Sequence, residues 1–78
     1  MKIKRDHLNN GGEVDIKTDI KTNSRVSIRK RGKYYELYRA YYRYLNGKER
    51  EEVIFKSEDL NEVVDFSNRM FGMNDEVI

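Results

Sequence analysis

The side chains best suited to chemistry in this sequence are arginines, lysines and tyrosines in close alternation. Arg25, Arg29, Lys33, Tyr35, Arg39, Tyr41, Arg43, Lys48 and Arg50 lie within one stretch. Arginine can bind phosphate bidentately and read guanine edges in the major groove. Tyrosine can bond phosphates or stack on unpaired bases. Other chemistries have little material. The chain has no cysteine and one histidine, His7. That excludes thiolate nucleophiles and thiolate metal sites and leaves almost no room for zinc or a histidine-based triad. Glu49, Glu51 and Glu52 are the only carboxylate cluster near the basic stretch. They have no histidine, cysteine or glycine-rich phosphate loop beside them, so they are read as solvated charge. No catalytic residue, metal ligand or cofactor is expected.

The charge is unevenly spread. The net value is only +2. Residues 24–56 hold ten basic and four acidic side chains, whereas residues 57–78 hold one and six. The basic middle and the acidic end must sit on different elements for either to act as a surface.

Those elements are bounded by length. Seventy-eight residues make one domain, burying about 60% of the unfolded surface. With 37% hydrophobic residues the chain can hold a small core rather than a deep cavity. No apolar run approaches the ~18 residues of a membrane span, and no secretory segment follows Met1. The expectation is a cytoplasmic protein with no membrane partner.

Met1 to Gly12 is polar, ends in Asn9-Asn10-Gly11-Gly12 and reads as a flexible basic arm, residues 1–12, with His7 a solvent-exposed bystander. From Glu13 to Thr22 the pattern alternates. Val14, Ile16, Thr18 and Ile20 point one way, and Asp15, Lys17, Asp19 and Lys21 the other, as in a half-buried strand. Asn23-Ser24 can turn the chain. Ser24 to Arg29 is a second strand. Lys30-Arg31-Gly32 forms a three-residue loop with its glycine in the left-handed position. Lys33 to Leu45 follows. Tyr34, Leu37, Tyr38, Tyr41 and Leu45 also fit a helical stripe, but hairpin signals on both flanks and the tyrosine content favour a strand. Asn46-Gly47 is a type I′ turn signal, and Lys48 to Lys56 is the last strand. Ser57 can cap a helix from Glu58 to Phe71. Leu60, Val63, Val64, Ser67, Met70 and Phe71 form its buried stripe, and Gly72 ends it. Residues 13–72 are thus one α+β domain, a three- or four-stranded antiparallel sheet packed on one face by a C-terminal helix. Residues 73–78 read as a frayed tail.

The two turns set the faces. They place Arg29 opposite Lys33, Ile28 opposite Tyr34, Arg43 opposite Arg50 and Tyr38 opposite Phe55. Val26, Ile28, Tyr34, Tyr38, Ala40, Tyr42, Val53 and Phe55 then form the floor under the helix, with Glu36, Glu49 and Glu51 at its margins. The open face carries Arg25, Arg29, Lys33, Arg39, Arg43, Lys48, Arg50 and Lys56 with Tyr35, Leu37, Tyr41, Leu45 and Ile54, against the single acid Glu52. Such a face suits a phosphate backbone. Long aliphatic stems covering a thin sheet are the alternative reading.

The stretch Val26 to Tyr35, the turn Asn46-Gly47-Lys48-Glu49-Arg50 and the junction Phe55-Lys56-Ser57 resemble the arm-type DNA-binding domains of tyrosine recombinases, over residues 24–71. The resemblance implies a three-stranded sheet backed by a helix, its open face laid in the major groove of duplex DNA. It implies DNA contacts for Arg29, Lys33, Arg39, Tyr41, Arg43 and Arg50, and an accessory or regulatory role in a phage or mobile element. The chain departs from that family in lacking a recombinase core after the helix, in its acidic helix and in the extra strand Glu13–Thr22. A double-stranded-RNA-binding domain fits less well, because Glu58 and Asp59 stand where its second helix would begin with lysines. The function expected is therefore a small non-enzymatic DNA-binding protein. The competing expectation is a protein-interaction module or small inhibitor, docking an acidic partner through the basic face or blocking a basic one through the acidic helix. A monomer or an edge-paired homodimer fits either.

Overall fold

The computed structural model describes residues 1–42 and 50–78. The elements are β1 (Lys2–Ile3), α1 (Arg5–Asn9), β2 (Glu13–Asp19), β3 (Ser24–Arg31), β4 (Tyr34–Tyr41), β5 (Arg50–Ser57), α2 (Leu60–Phe71) and β6 (Glu76–Val77). Strands β2-β3-β4-β5 form one antiparallel sheet in chain order, and α2 packs against β4 and β5. The fold is α+β, as the alternation and the helical stripe predict. The Glu13–Thr22 strand takes the edge beside β3 and is shorter than expected, ending at Asp19.

Residues 1–12 are not an arm. Ile3 and Leu8 are fully buried in the same core as Val26, Ile28, Leu37, Leu60, Val63 and Val64. Helix α1 packs over β2 and β3, the half of the sheet that α2 leaves bare. Nor is the tail frayed. β6 runs parallel to β1, with Lys2 beside Glu76 and Ile3 beside Val77. Asp75 Oδ1 lies 3.1 Å from the terminal amino group, and the Asn68 side chain bonds the Asp75 backbone through both N–H and C=O. Two apolar residues in a polar segment, Ile3 and Leu8, are enough to dock it, because burial of each large aliphatic side chain contributes about 2 kcal/mol.

The first hairpin has a tighter turn than its sequence suggests. Arg31 pairs with Tyr34, so Gly32-Lys33 is a two-residue turn. Gly32 alone has the positive φ, 62°, the glycine-first pattern of a II′ turn. Ile28 therefore faces Leu37, and Val26 faces Arg39. The expected register differs from this by an odd number of residues, which exchanges the two faces of β4. The hydrophobic effect explains the outcome. The observed register buries Leu37 completely against Ile28, whereas the expected one leaves it in water.

Two bulges adjust the remaining strands. One lies between Asp15 and Lys17 of β2. It keeps Ile16 buried, brings Lys17 to the helix side over the Phe71 ring and ends the simple alternation, so Ile20 is 91% exposed in the following turn. There Asn23 takes a φ of 53°. The Asp19 carboxylate accepts from the backbone N–H groups of Thr22 and Lys21. The second bulge sits on β5, where Leu37 opposes Phe55 but Tyr38 opposes Val53. At the far end Arg50 is opposed by Tyr41 rather than by the expected Arg43, which lies outside the described residues. The Asn46-Gly47 turn itself lies outside the described residues.

Helix α2 starts two residues later than expected. Asp59, not Ser57, is its N-cap and accepts from the Asn61 N–H at 2.9 Å. Ser57 Oγ instead accepts from the Asp59 N–H and donates to Glu62. Gly72 ends the helix at a φ of 66°, as its position predicts. Met70 is half exposed rather than buried. Phe66 takes a larger share of the packing, stacked on Phe55 with centroids 4.5 Å apart.

Candidate interface on the open sheet face

The face of the sheet away from α2 is set by three registers. β2 contributes Glu13 and Asp15; β3 contributes Arg25, Ser27, Arg29 and Arg31. β4 contributes Tyr34, Glu36, Tyr38 and Ala40, and β5 contributes Glu51, Val53 and Lys56. Among the described residues Arg25, Arg29, Arg31 and Lys56 are thus met by Glu13, Asp15, Glu36 and Glu51. Among the described residues the basic face expected from the sequence is not present, and the face is balanced.

Arg29 is its centre. Nε donates to Glu36 Oε1, and one terminal nitrogen donates to both Glu51 oxygens, each at 3.1 Å. The guanidinium lies 3.8 Å above the centroid of the Tyr38 ring. Burial works against the charge of Arg29, but the hydrogen bonds to Glu36 and Glu51 outweigh it and raise the guanidinium pKa further. Arg31 reaches the same two carboxylates at 3.8 and 3.7 Å. On the β2 side, Ser27 donates to Asp15 at 2.6 Å, and Arg25 lies 4.0 Å from that carboxylate and 5.7 Å from the Tyr42 ring. Tyr38 is fully buried beneath this layer, and its hydroxyl lies near the Glu13 carboxylate and Arg25 without a well-formed hydrogen bond among the described residues. Burial, then the nearby Glu13 carboxylate, raise its pKa, with Arg25 pulling the other way. Lys56 lies 4.8 Å over Tyr34. Tyr42 and Val53 are exposed to 37% and 43%.

Of the seven expected contact residues that the structure describes, only Arg25 and Arg29 are on this face. Lys33 occupies the turn and pairs with Glu58 at 3.1 Å. Tyr35, Arg39, Tyr41 and Arg50 lie on the helix side. Tyr35 is buried and donates to Asn9 Oδ1 at 2.6 Å. Arg39 is half-buried opposite Val26 and Glu52. Arg50 stacks on Tyr41 at 5.0 Å and lies 3.9 Å from Glu52. Arg43 and Lys48 lie outside the described residues. Glu36, Tyr38 and Glu51, which define the open face, were assigned to the helix floor or its margins. The signal that finds them is Leu37: requiring it to share the core with Val26 and Ile28 fixes the parity of β4.

Among the described residues no helix is long and apolar enough to cross a membrane, and no cluster of three or more His, Cys, Asp or Glu side chains could hold a metal. Comparison with protein-family models, with curated proteins and with solved structures finds no match.

Proposed function

We propose that this chain is a non-enzymatic docking module that engages a protein partner through the open face of its sheet. The observation that carries the reading is the charge-balanced layer of arginine and tyrosine centred on Arg29. Arginine and tyrosine are favoured anchors of protein interfaces. Arg29 is held before any partner arrives, so little side-chain entropy is lost on contact. Exposed Tyr42 and Val53 add apolar area to a polar rim. A phosphate backbone, by contrast, would have to compete with Glu36 and Glu51 for Arg29, or with Asp15 for Arg25. The DNA reading retains one foothold, the hairpin end of the helix side, where Lys17, Arg39 and Arg50 lie with Tyr41.

A titration of fluorescent duplex DNA at about 50 and 200 mM salt separates the readings. The docking reading expects no affinity tighter than ~10⁻⁴ M even at low salt. It also expects a captured protein partner to be lost with Tyr42→Ala and kept with Asp65→Lys on the exposed side of α2. Tighter DNA binding that weakens with Arg39→Ala, with a salt slope smaller by about one per lost phosphate contact, would transfer the function to DNA.

A further inference from the structure

The sheet has two free edges, and they differ. Part of the β2 edge is engaged: His7 Nε2 donates to the Glu13 carbonyl at 3.0 Å, and α1 packs against the strand. Among the described residues nothing pairs with the outer side of β5, and Arg50 to Val53 are all exposed. The bulge gives this edge an unusual pattern. In a regular strand, residues five apart point to opposite faces. Here the extra residue places Glu51, opposite Ala40, and Lys56, opposite Glu36, on the same open face.

We propose that β5 pairs with the β5 of a second copy of this chain, antiparallel about a twofold axis normal to the sheet. Glu51 of each copy then faces Lys56 of the other, Arg50 faces Ser57, Glu52 faces Phe55, and Val53 faces Ile54. The symmetry makes the Glu51–Lys56 contact twice, and no like charges meet. Among the described residues Lys56 has a ring beneath it but no carboxylate within ion-pair distance, so a copy supplies what the single chain does not. The bulge selects the partner. A regular strand must leave one residue of β5 unopposed, whereas a copy carries the same extra residue and stays in phase on both sides of it. Charges and bulges guard an edge against indiscriminate pairing, and this edge is complementary to itself. The product is an eight-stranded sheet with both α2 helices on one side and a continuous open face on the other.

Sedimentation velocity and amide hydrogen exchange, each from low to high micromolar protein, test the pairing. The wild type is expected to double in mass with concentration, with the added amide protection confined to Arg50–Ser57. Val53→Lys sets two lysines beside the axis at an exposed position. It should weaken the dimer about tenfold or more while leaving the circular dichroism of the chain unchanged. A wild type that stays monomeric throughout overturns the proposal. So does a dimer that leaves β5 exchange unaltered, or one that Val53→Lys does not weaken. If Val53→Lys fails to fold, the exchange pattern of the wild type alone decides.

Discussion

Tyr38 and Arg29 show how two side chains in contact can contribute oppositely to stability. Among the described residues the buried Tyr38 hydroxyl has no well-formed hydrogen bond, only the Glu13 carboxylate and Arg25 nearby, and a buried hydroxyl left without a partner costs about 1–3 kcal/mol. Tyr38→Phe should therefore leave stability unchanged or raise it by about 1 kcal/mol in urea denaturation. A loss of that size would show that the hydroxyl has a partner. The sign of its pH effect follows from the raised pKa. A phenol harder to ionise folded than unfolded contributes fully below its ordinary pKa, and the contribution is lost as pH rises through the higher folded value. Tyr38→Phe should flatten the alkaline decline. Arg29→Ala should do the reverse and cost about 3 kcal/mol, because it leaves the Glu36 carboxylate, 8% exposed, with only the longer contact to Arg31. Arg39→Ala, with neither feature, should stay within about 0.5 kcal/mol. Sequence singled out arginine and tyrosine as the residue types of the candidate interface. It could not tell which arginine is neutralised, because Glu36 and Glu51 reach Arg29 only across strands.

The elements were more legible than their alignment. Helix α2 was visible in Leu60, Val63, Val64 and Ser67, because a helical period survives small boundary errors. The strands were visible in their β-favouring content. Their register was not, since one glycine, Gly32, satisfies either a two- or a three-residue loop, and the choice inverts every side chain of β4. Bulges were also hidden: Val14, Ile16, Thr18 and Ile20 alternate in sequence, yet the bulge at Ile16 ends the alternation. The turn itself can be tested. Nothing lies within 4 Å of a Cβ built on Gly32, so Gly32→Ala should cost only its backbone strain, about 1–2 kcal/mol, read from the urea midpoint. No change would show that the positive φ is not required.

At the level of the whole molecule, the fold is closed by both ends of the chain. Ile3 and Leu8 complete the core from one end, and β6 locks onto β1 from the other. Ile3→Ala should cost about 2–5 kcal/mol, as much as a central strand residue and far more than a disordered arm would allow. Thermal or urea unfolding measures it, and an unchanged midpoint would return the segment to an arm. The segment's polarity masked this role, because composition averages over a stretch while docking depends on single apolar residues.

The parallel clasp of β1 and β6 also fixes how the molecule answers to force. Backbone hydrogen bonds join the ends, among them Glu76 N–H to Met1, Ile78 N–H to Ile3 and Arg5 N–H to Ile78. Parallel strands pulled by opposite ends slide along one another, so these bonds are loaded together instead of opening one by one. Stretched between its termini, the chain should resist and then give way abruptly. Pulled instead through attachment points at the ends of one hairpin, it should unzip gradually at lower tension, a contrast governed by the unfolding rate rather than by equilibrium stability. Resistance along that axis should therefore follow from this clasp rather than from the size of the core.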